Sequence, residues 1–365
     1  MSTCYHSSRM DRLRKLGWSD FFHEQIAGES PLPLVARVIE EQRGGYRVAG
    51  DFDGAAEVSG RVRHEARTNA DFPAVGDWVC VSPPMGVERA LITRRLERRS
   101  TISRKAAGRG FEEQVVAANV DTIFLVTALA EDLNPRRIER YLTAVREAGA
   151  EPVVIINKTD LSEDPDGEVG AVRARLPFVD VIAISARRAE GLEALDVYLT
   201  PAHTVALIGS SGVGKSTLVN RLLGHDLLRT AATRGGDGRG RHTTTSRHLV
   251  DLPGGAMLID TPGMRELQPW VEEGAVAETF GDIAELALRC RFGNCEHRTE
   301  PGCAVLAAME EGTLDRERLD HYRQLGREIA VDEAKRNKAA AADQKRRVKR
   351  VHKAQKTFYR DRDEM

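Results

Sequence analysis

The stretch Gly209-Ser-Ser-Gly-Val-Gly-Lys-Ser216 decides the fold of this chain, because it fits the phosphate-binding pattern G-x-x-x-x-G-K-[ST]. The apolar run Thr204-Val-Ala-Leu-Ile208 precedes it as a predicted buried strand, and Thr217-Leu-Val-Asn-Arg-Leu-Leu223 opens a predicted helix. A glycine-rich turn without function would explain the glycines, but not the joint agreement of lysine, hydroxyl, strand and helix. The sequence therefore predicts a phosphate-binding loop in an α/β domain.

Each part of this loop has a chemical reason. Glycines allow backbone N–H groups to converge on phosphate oxygens, and the following helix adds the positive end of its dipole. Lys215 is expected to reach the β- and γ-phosphates and to stabilise charge during catalysis, and the Ser216 hydroxyl to ligate Mg²⁺. The predicted nucleotide contacts in this loop are Gly209, Ser210, Ser211, Gly212, Val213, Gly214, Lys215, Ser216 and Thr217.

A second motif, Asn157-Lys-Thr-Asp160, favours guanine as the base. It follows the apolar run Pro152-Val-Val-Ile-Ile156, so we expect it at the carboxyl end of a strand, where open α/β sheets bind ligands. A carboxylate at Asp160 can accept hydrogen bonds from both the N1–H and the exocyclic amine of guanine, whereas adenine offers no such donor pair. Alone, this tetrapeptide is equally consistent with a surface turn. The predicted base contacts are Asn157, Lys158, Thr159 and Asp160, joined by Ser185 and Ala186, where a backbone N–H can reach the guanine O6.

A third motif, Asp260-Thr-Pro-Gly263, ends the predicted strand Ala256-Met-Leu-Ile259. Asp260 is expected to hold Mg²⁺ through water, and the Gly263 N–H to contact the γ-phosphate. The segment Arg239-Gly-Arg-His-Thr-Thr-Thr245 offers threonines for the Mg²⁺ shell. The residues leave open which threonine binds, and Thr244 is the one we assign.

The order of these motifs is unusual, because the base motif precedes the phosphate loop, whereas ordinary small GTPases begin with that loop. Joining the old termini and cutting the chain elsewhere leaves strand neighbours unchanged, so the same sheet can form. Five features are distinctive together: NKTD at Asn157, GSSGVGKST at Gly209, a loosely matching GRHTTT within 238–245, DTPGMRE at Asp260 and the cysteines described below. By these features the chain resembles the circularly permuted GTPases of the ribosome small subunit-dependent GTPase A family over residues 30–335.

The resemblance implies a GTP hydrolase that binds the small ribosomal subunit and its rRNA, acts in late maturation or an assembly checkpoint, and is stimulated by the subunit. Met264 occupies the position where Ras-like GTPases carry a water-orienting glutamine, so slow intrinsic turnover is expected. The resemblance points to His242 as the catalytic, water-positioning residue, and a non-catalytic loop histidine is the alternative. The base motif disfavours an ATPase or a small-molecule kinase, whereas a GTP-gated scaffold for a non-ribosomal partner stays open.

Four metal-binding side chains occur in the C-terminal part as Cys290-x₄-Cys295-x-His297-x₅-Cys303. Three thiols and one imidazole at this density predict a structural zinc site, with all four positions filled by protein. Free cysteines with a surface histidine are the alternative. The surrounding pattern is helical, and the chain's last stretch is rich in lysine and arginine, which indicates either a nucleic-acid-binding arm or a solubilising tail.

Before the nucleotide motifs, short β-like runs from Leu34 to about residue 100, including Arg61–Arg63, predict a small antiparallel barrel, which the resemblance makes an oligonucleotide-binding (OB) fold. Its arginines either track an RNA backbone or form a solvated face. The N-terminal segment indicates a short amphipathic helix, either packed or mobile. The predicted parts are an N-terminal extension (1–33), the barrel (34–112), the permuted GTPase domain (113–270), a helical zinc domain (271–331) and a basic tail (332–365).

Composition bounds the remaining possibilities. The 365 residues carry 54 Lys and Arg against 55 Asp and Glu, so a net charge of −1 says nothing about nucleic acid. No apolar run approaches the roughly 18 residues of a membrane span, and five cysteines without a disulfide pattern favour a reducing compartment. We therefore expect a cytoplasmic monomer without a membrane partner.

Overall fold

The computed structural model describes residues 2–42, 45–83, 89–105, 113–129, 133–224, 247–260, 276, 278–331 and 334, without the side chains of residues 2–7 and 105. Two units form, Met1–Ala106 with Glu112–Trp270 and Ala107–Phe111 with Val271–Met365. Among the described residues, no helix has the length and apolar character needed to cross a bilayer. The finer domain boundaries given above stay predictions.

Two helices, α1 (Ser2–Lys15) and α2 (Asp20–Glu24), open the chain and pack on the barrel. Trp18 lies edge-on against Trp78, with ring centroids 4.8 Å apart. Phe22 is fully buried beside both rings, whereas its neighbour Phe21 is 38% exposed. The segment thus belongs to a hydrophobic core made of Leu13, Trp18, Phe22, Ile26, Val35, Trp78, Cys80 and Leu96.

The barrel consists of β1 (Leu34–Gln42), β2 (Gly45–Gly50), β3 (Gly54–Val58), β4 (Trp78–Ser82) and β5 (Ala90–Arg95). Strand pairs β1–β2, β2–β3, β3–β5, β5–β4 and β4–β1 close the sheet on itself. The predicted barrel is confirmed, with one departure from the expected antiparallel pairing, because β3 and β5 run parallel. A parallel pair needs a crossover, and the residues between β3 and β4 begin that crossover with a helix.

That helix is α3 (Gly60–Glu65), where the sequence predicted a β-like run at Arg61–Arg63. Ser59 caps it, since its Oγ accepts a hydrogen bond from the Val62 N–H at 3.3 Å. One turn along, Arg61 forms an ion pair with Glu65 at 2.8 Å. Capping and pairing at helical spacing outweighed the alternation of charged and apolar residues on which the strand prediction rested.

A hairpin of β6 (Thr101–Lys105) and β7 (Glu113–Ala118) leads into the nucleotide domain. There, strands and helices alternate as β8 (Thr122–Ala128), α4 (Pro135–Glu147), β9 (Glu151–Asn157), α5 (Pro165–Arg175), β10 (Asp180–Ala183), β11 (Thr204–Ile208) and α6 (Lys215–Leu223), followed by β12 (Arg247–Asp251) and β13 (Met257–Asp260). Strands β10, β9, β8, β11 and β13 lie side by side in that order and run parallel. The α/β domain predicted from the sequence is confirmed, and its central sheet is parallel.

Alternate side chains of the central strands face opposite layers of helices. Ile123 and Leu125 of β8 join the core formed with α4 and α5, whereas Phe124 and Val126 join the core formed with α6. Strands covered on both faces must be apolar on both faces, which is why β8 reads as a continuous apolar run.

The barrel and the nucleotide domain share one sheet of eleven described strands, because β12 pairs antiparallel with both β13 and β1. Arg247 of β12 donates to the Glu41 carboxylate of β1 at 2.6 Å. Arg37 of β1 is buried, and burial lowers its pKa to about 10. Its guanidinium donates to the carbonyl oxygens of Leu16, Gly76 and Asn119, so it joins the N-terminal segment, the barrel and the nucleotide domain.

The smaller unit contains α7 (Gly281–Ala287), α8 (Ala304–Glu310) and α9 (residues 316–331). Arg318 of α9 forms a two-bond ion pair with Asp282 of α7, at 2.6 and 2.8 Å. The same guanidinium lies over the ring of buried Phe280, 4.9 Å from its centroid. These contacts hold α7 against α9, and the predicted helical character of this region is confirmed.

Candidate nucleotide and metal sites

The phosphate loop lies between β11 and α6, as its sequence predicts. Gly212 and Gly214 have φ values of 89° and 97°, which only glycine adopts without strain. A Cβ atom at Gly214 would lie 2.3 Å from the Asn157 amide nitrogen, and one at Gly209 would lie 2.1 Å from the Val126 carbonyl oxygen. Gly209 and Gly214 are therefore required, because the loop approaches neighbouring strands too closely for a side chain at either position.

Lys215 is the first residue of α6, and its ammonium group lies against its own loop. Its Nζ donates to the carbonyl oxygen of Gly209 at 2.6 Å and also to that of Ser210. Ser211 and Gly212 are exposed, while Ser216 and Thr217 are half-buried in the first turn of α6. The arrangement brings one positive charge and the N-terminus of a helix to the same exposed loop, which is what phosphate binding needs.

Asn157 joins the phosphate loop to the base motifs. Its Nδ2 donates to the Val213 carbonyl at 2.8 Å, and its Oδ1 accepts from the Ala186 N–H at 2.9 Å. Lys158 adopts a left-handed backbone conformation, with φ 62°, as the strand gives way to a turn. One buried amide thus fixes the spacing between the phosphate loop (209–216) and residues 185–188, here called the base loop, which includes the predicted base contacts Ser185 and Ala186.

Asp160 lies beside Ser185, as the pairing of their motifs predicts. The Ser185 hydroxyl donates to Asp160 Oδ1 at 2.7 Å, and the side chain of Asp160 is only 6% exposed. Arg188 approaches the other oxygen, with 4.0 Å between Arg188 Nε and Asp160 Oδ2. Thr159 is bound through its backbone, whose N–H donates to the Ile184 carbonyl at 3.3 Å. The structure therefore brings the base residues together around one largely buried carboxylate.

Asp260 ends β13, the parallel neighbour of β11, so it lies at the same edge of the sheet as the phosphate loop. This is the position that a magnesium-linked carboxylate requires. The other predicted residues of the switch motifs, His242, Thr244, Gly263 and Met264, lie outside the described residues, as does Arg239–Thr245 as a whole.

Several arginines of the barrel have structural partners, which narrows the predicted RNA-binding face. Arg98 is 8% exposed and holds the fully buried carboxylate of Asp77 through two hydrogen bonds, at 2.8 and 2.7 Å. Ion pairs also engage Arg94 with Glu29 and Arg99 with Asp121. Arg98 thus belongs to the barrel interior, and the exposed arginines Arg63 and Arg67 are better placed for an anionic partner.

The cysteine–histidine cluster has the geometry of a tetrahedral metal site. The ligand atoms of Cys290, Cys295, His297 and Cys303 all lie within 4.8 Å of one another. The Sγ atoms of Cys290 and Cys303 are 3.8 Å apart, and they lie 3.6 and 3.5 Å from His297 Nδ1. A tetrahedral ion with metal–sulfur bonds of about 2.3 Å and a metal–nitrogen bond of about 2.05 Å requires separations of about 3.8 Å between sulfurs and about 3.6 Å between sulfur and nitrogen. Cys290, His297 and Cys303 are thus already spaced for a tetrahedral ion, and the Cys295 Sγ lies within 4.8 Å of all three of their ligand atoms.

The loop that carries His297 is organised by a carboxylate that the sequence analysis missed. Glu300 accepts hydrogen bonds from the N–H groups of Glu296, Arg298 and Thr299 at 2.9, 2.7 and 3.0 Å. Backbone hydrogen bonds, first from its own N–H and then from that of Glu296, lower the pKa of Glu300 to about 2. Burial, with repulsion from Arg323, lowers the pKa of His297 and so favours the neutral imidazole that binds metal.

Comparison with known proteins agrees with this geometry. The family model described as RsgA GTPase matches residues 95–270. A protein of Opitutus terrae, named small ribosomal subunit biogenesis GTPase RsgA, is 46% identical over 357 residues, which cover 94% of this chain and 97% of that protein. This chain belongs to the RsgA GTPase family. At such identity over nearly the whole length, the relationship includes the barrel and the metal cluster as well as the nucleotide domain.

Solved structures extend the comparison of RsgA relatives to the fold. YjeQ from Thermotoga maritima matches with a TM-score of 0.62 and 25% identity, covering 82% of this chain and 99% of that one. YloQ, described as a circularly permuted GTPase, matches with a TM-score of 0.60 and 26% identity over 84% of this chain and 98% of that one. The permuted order read from the motifs is thus confirmed as that of a known fold.

Sequence reasoning missed two residues at the RsgA nucleotide site besides Glu300 of the metal loop. Arg188 lies beside Asp160, and Arg221 of α6 donates to the backbone of the base loop. Neither belongs to a recognised motif, and each makes contacts with residues 28 to 35 positions away in the chain. Only the folded structure brings these pairs together.

Proposed function

We propose that this RsgA-family protein binds GTP with Mg²⁺, hydrolyses it to GDP and phosphate, and acts in biogenesis of the small ribosomal subunit. The observation that carries the proposal is the position of Asn157, which holds the phosphate loop through Val213 and the base loop through Ala186. Because one buried amide fixes both loops, their separation is constant. A single ligand that carries both a base and phosphates can therefore bind to the two loops at once. The nearly buried carboxylate of Asp160 makes guanine that base.

The residues divide the work of binding and hydrolysis by their chemistry. Lys215 neutralises phosphate charge, and Ser216 and Asp260 would hold Mg²⁺, which would supply further positive charge beside the phosphates. His242 positions the attacking water, Thr244 completes the Mg²⁺ shell, and the Gly263 N–H contacts the γ-phosphate, each by its place in a motif. Because Met264 cannot orient water, turnover is slow until a partner stimulates it.

The metal of the Cys290 cluster is a single structural zinc ion, held by all four side chains. Thiolates and a neutral imidazole in tetrahedral array suit zinc, and four protein ligands leave no position for a catalytic water. Metal analysis of gently purified protein is expected to give one zinc per chain, and Cys303→Ser to lose it and to unfold the smaller unit. Protein that contains no zinc would contradict this assignment.

The partner is the small ribosomal subunit, as the name of the Opitutus relative indicates for that protein. The full chain works as a cytoplasmic monomer that meets the subunit through rRNA, in late maturation or an assembly checkpoint. Co-sedimentation with purified small subunits tests this, using a non-hydrolysable GTP analogue, GDP and no nucleotide, with large subunits as the control. Binding is expected to be strongest with the GTP analogue. Equal recovery with large subunits would leave a GTP-gated scaffold for another partner as the better account.

A further inference from the structure

Arg221 connects the helix that carries the phosphate loop to the loop that reads the base. It lies on α6, six residues after Lys215. Its Nε donates to the Ala186 carbonyl at 3.1 Å, and its Nη2 donates to the Arg187 carbonyl at 2.9 Å. A guanidinium presents two parallel N–H donors at fixed spacing, so it can hold two successive carbonyl groups in a way that a lysine ammonium cannot.

Hydrogen bonds continue from Arg221 to Asp160. The Arg187 carbonyl and the Arg188 N–H belong to one trans peptide and point in opposite directions. Arg221 holds the carbonyl, and the N–H donates to Ser185 Oγ at 3.2 Å. The Ser185 hydroxyl in turn donates to Asp160 Oδ1 at 2.7 Å. Every hydrogen bond in this series is polarised in the same direction, from the Arg221 cation to the Asp160 carboxylate. Hydrogen bonds in such a series strengthen one another.

These hydrogen bonds orient the Asp160 carboxylate and leave acceptor positions on it for the base. Ser185 occupies one side of Oδ1, so the Asp160 group cannot rotate freely and its remaining acceptor positions keep one direction. Guanine needs both oxygens in a fixed plane, because its N1–H and 2-amino group are parallel donors.

We propose that Arg221 is a positioning residue for guanine recognition, acting on Asp160 through the 187–188 peptide and the Ser185 hydroxyl. The inference rests on the proposed GTP binding and adds a residue to it that no nucleotide-binding motif contains. Helix α6 thus contributes Lys215 of its first turn to phosphate binding and Arg221 of its second turn to base recognition.

The test compares GDP with IDP, which lacks only the 2-amino group. In the native protein, the ratio Kd(IDP)/Kd(GDP) measures how well Asp160 meets that group. Arg221→Ala is expected to lower this ratio about fivefold, the scale of one charged hydrogen bond partly exposed to water. Arg221→Lys should restore it only in part. Ser185→Ala should lower it as well, and the double variant should add little, because both residues act through the same chain of bonds.

Arg173→Ala is the matched control, since Arg173 of α5 also donates from Nε and Nη2 to a carbonyl, that of Val181, at 3.2 and 3.0 Å. It should leave the ratio unchanged, whatever it does to stability. If Arg221→Ala leaves the ratio unchanged, even while it weakens the binding of GDP and IDP equally, the inference is wrong and Arg221 has only a structural role. A native protein that binds GDP no better than ADP would instead remove the proposed function itself.

Discussion

We propose that Asp160 decides which nucleotide the protein takes, because its carboxylate is nearly buried and accepts a hydrogen bond from the Ser185 hydroxyl. A guanine whose two donors meet this carboxylate gains two charge-assisted hydrogen bonds, and the amide of asparagine would present a donor where guanine has donors.

Asp160→Asn is therefore expected to weaken GDP binding by about a hundredfold, from two such bonds, and to favour a xanthine nucleotide, which has an acceptor at position 2. Fluorescence competition with GDP, XDP and ADP measures the change. Retention of native GDP affinity by the variant would contradict the role of Asp160.

Glu300 acts at the same scale in the metal loop. Since its pKa in the folded protein, about 2, lies below that of an unfolded glutamate, the carboxylate stabilises the loop fully above about pH 4. That stabilisation is lost as the pH falls toward 2. At neutral pH the loop depends on the full negative charge.

Glu300→Gln should lower zinc affinity about tenfold at pH 7, because the amide turns an NH₂ group toward backbone N–H donors that position His297. A chelator competition assay measures it. Glu296→Gln is the control: this carboxylate is 68% exposed and forms an ion pair with Arg298, so its loss should leave zinc affinity unchanged. Equal effects of the two variants would show that only net charge matters.

At the scale of elements, the N-terminal helices belong to the core of the barrel. Phe22 and Phe21 are adjacent, but only Phe22 is fully buried. Phe22→Ala should destabilise the larger unit by about 3 kcal/mol, since it leaves a cavity beside Trp18 and Trp78, whereas Phe21→Ala should cost under about 1 kcal/mol. Urea unfolding followed by tryptophan fluorescence measures both. Similar midpoints for the two variants would contradict the packing of this segment.

The sequence predicted the elements whose signals are local. β11 spans Thr204–Ile208 as expected, and α4 begins after a local cap, with the Asn134 side chain accepting from the Arg137 N–H. The run Arg61–Arg63 misled, because its alternation is too short to distinguish a strand from a capped helix. The packing of Trp18 on Trp78 was left open, since 60 residues separate the two and periodicity carries no information about partners.

The motifs of the nucleotide site could be predicted from the sequence, but the side-chain contacts between distant residues could not. Spacing placed Asn157, Asp160 and Lys215 at strand ends, because the carboxyl edge of a parallel sheet is where ligands bind. No motif indicated that Arg98 is buried with Asp77, so the sequence placed it among the barrel arginines that either track RNA or form a solvated face. Partners of this kind depend on which surfaces meet after folding.

On the scale of the whole molecule, one sheet runs from the nucleotide strands through β12 into the barrel. The basic C-terminal residues 332–365 lie outside the described chain except for residue 334, and their charge makes them a candidate for phosphate contacts. Deleting them should lower affinity for small subunits and flatten its dependence on salt, since fewer counterions are released. Titration at several salt concentrations checks this, and an unchanged slope would assign the contacts elsewhere.

The central claim, that the protein is a GTPase whose partner is the small ribosomal subunit, is tested most directly by GTP turnover of the full chain at low salt, with and without small subunits. Slow hydrolysis alone, stimulation at least about tenfold by small subunits, and none with Lys215→Ala are expected. Lys15→Ala, which removes an exposed lysine of α1, should behave as the native protein. Turnover that small subunits leave unchanged, or that ATP supports as well as GTP, would contradict the account.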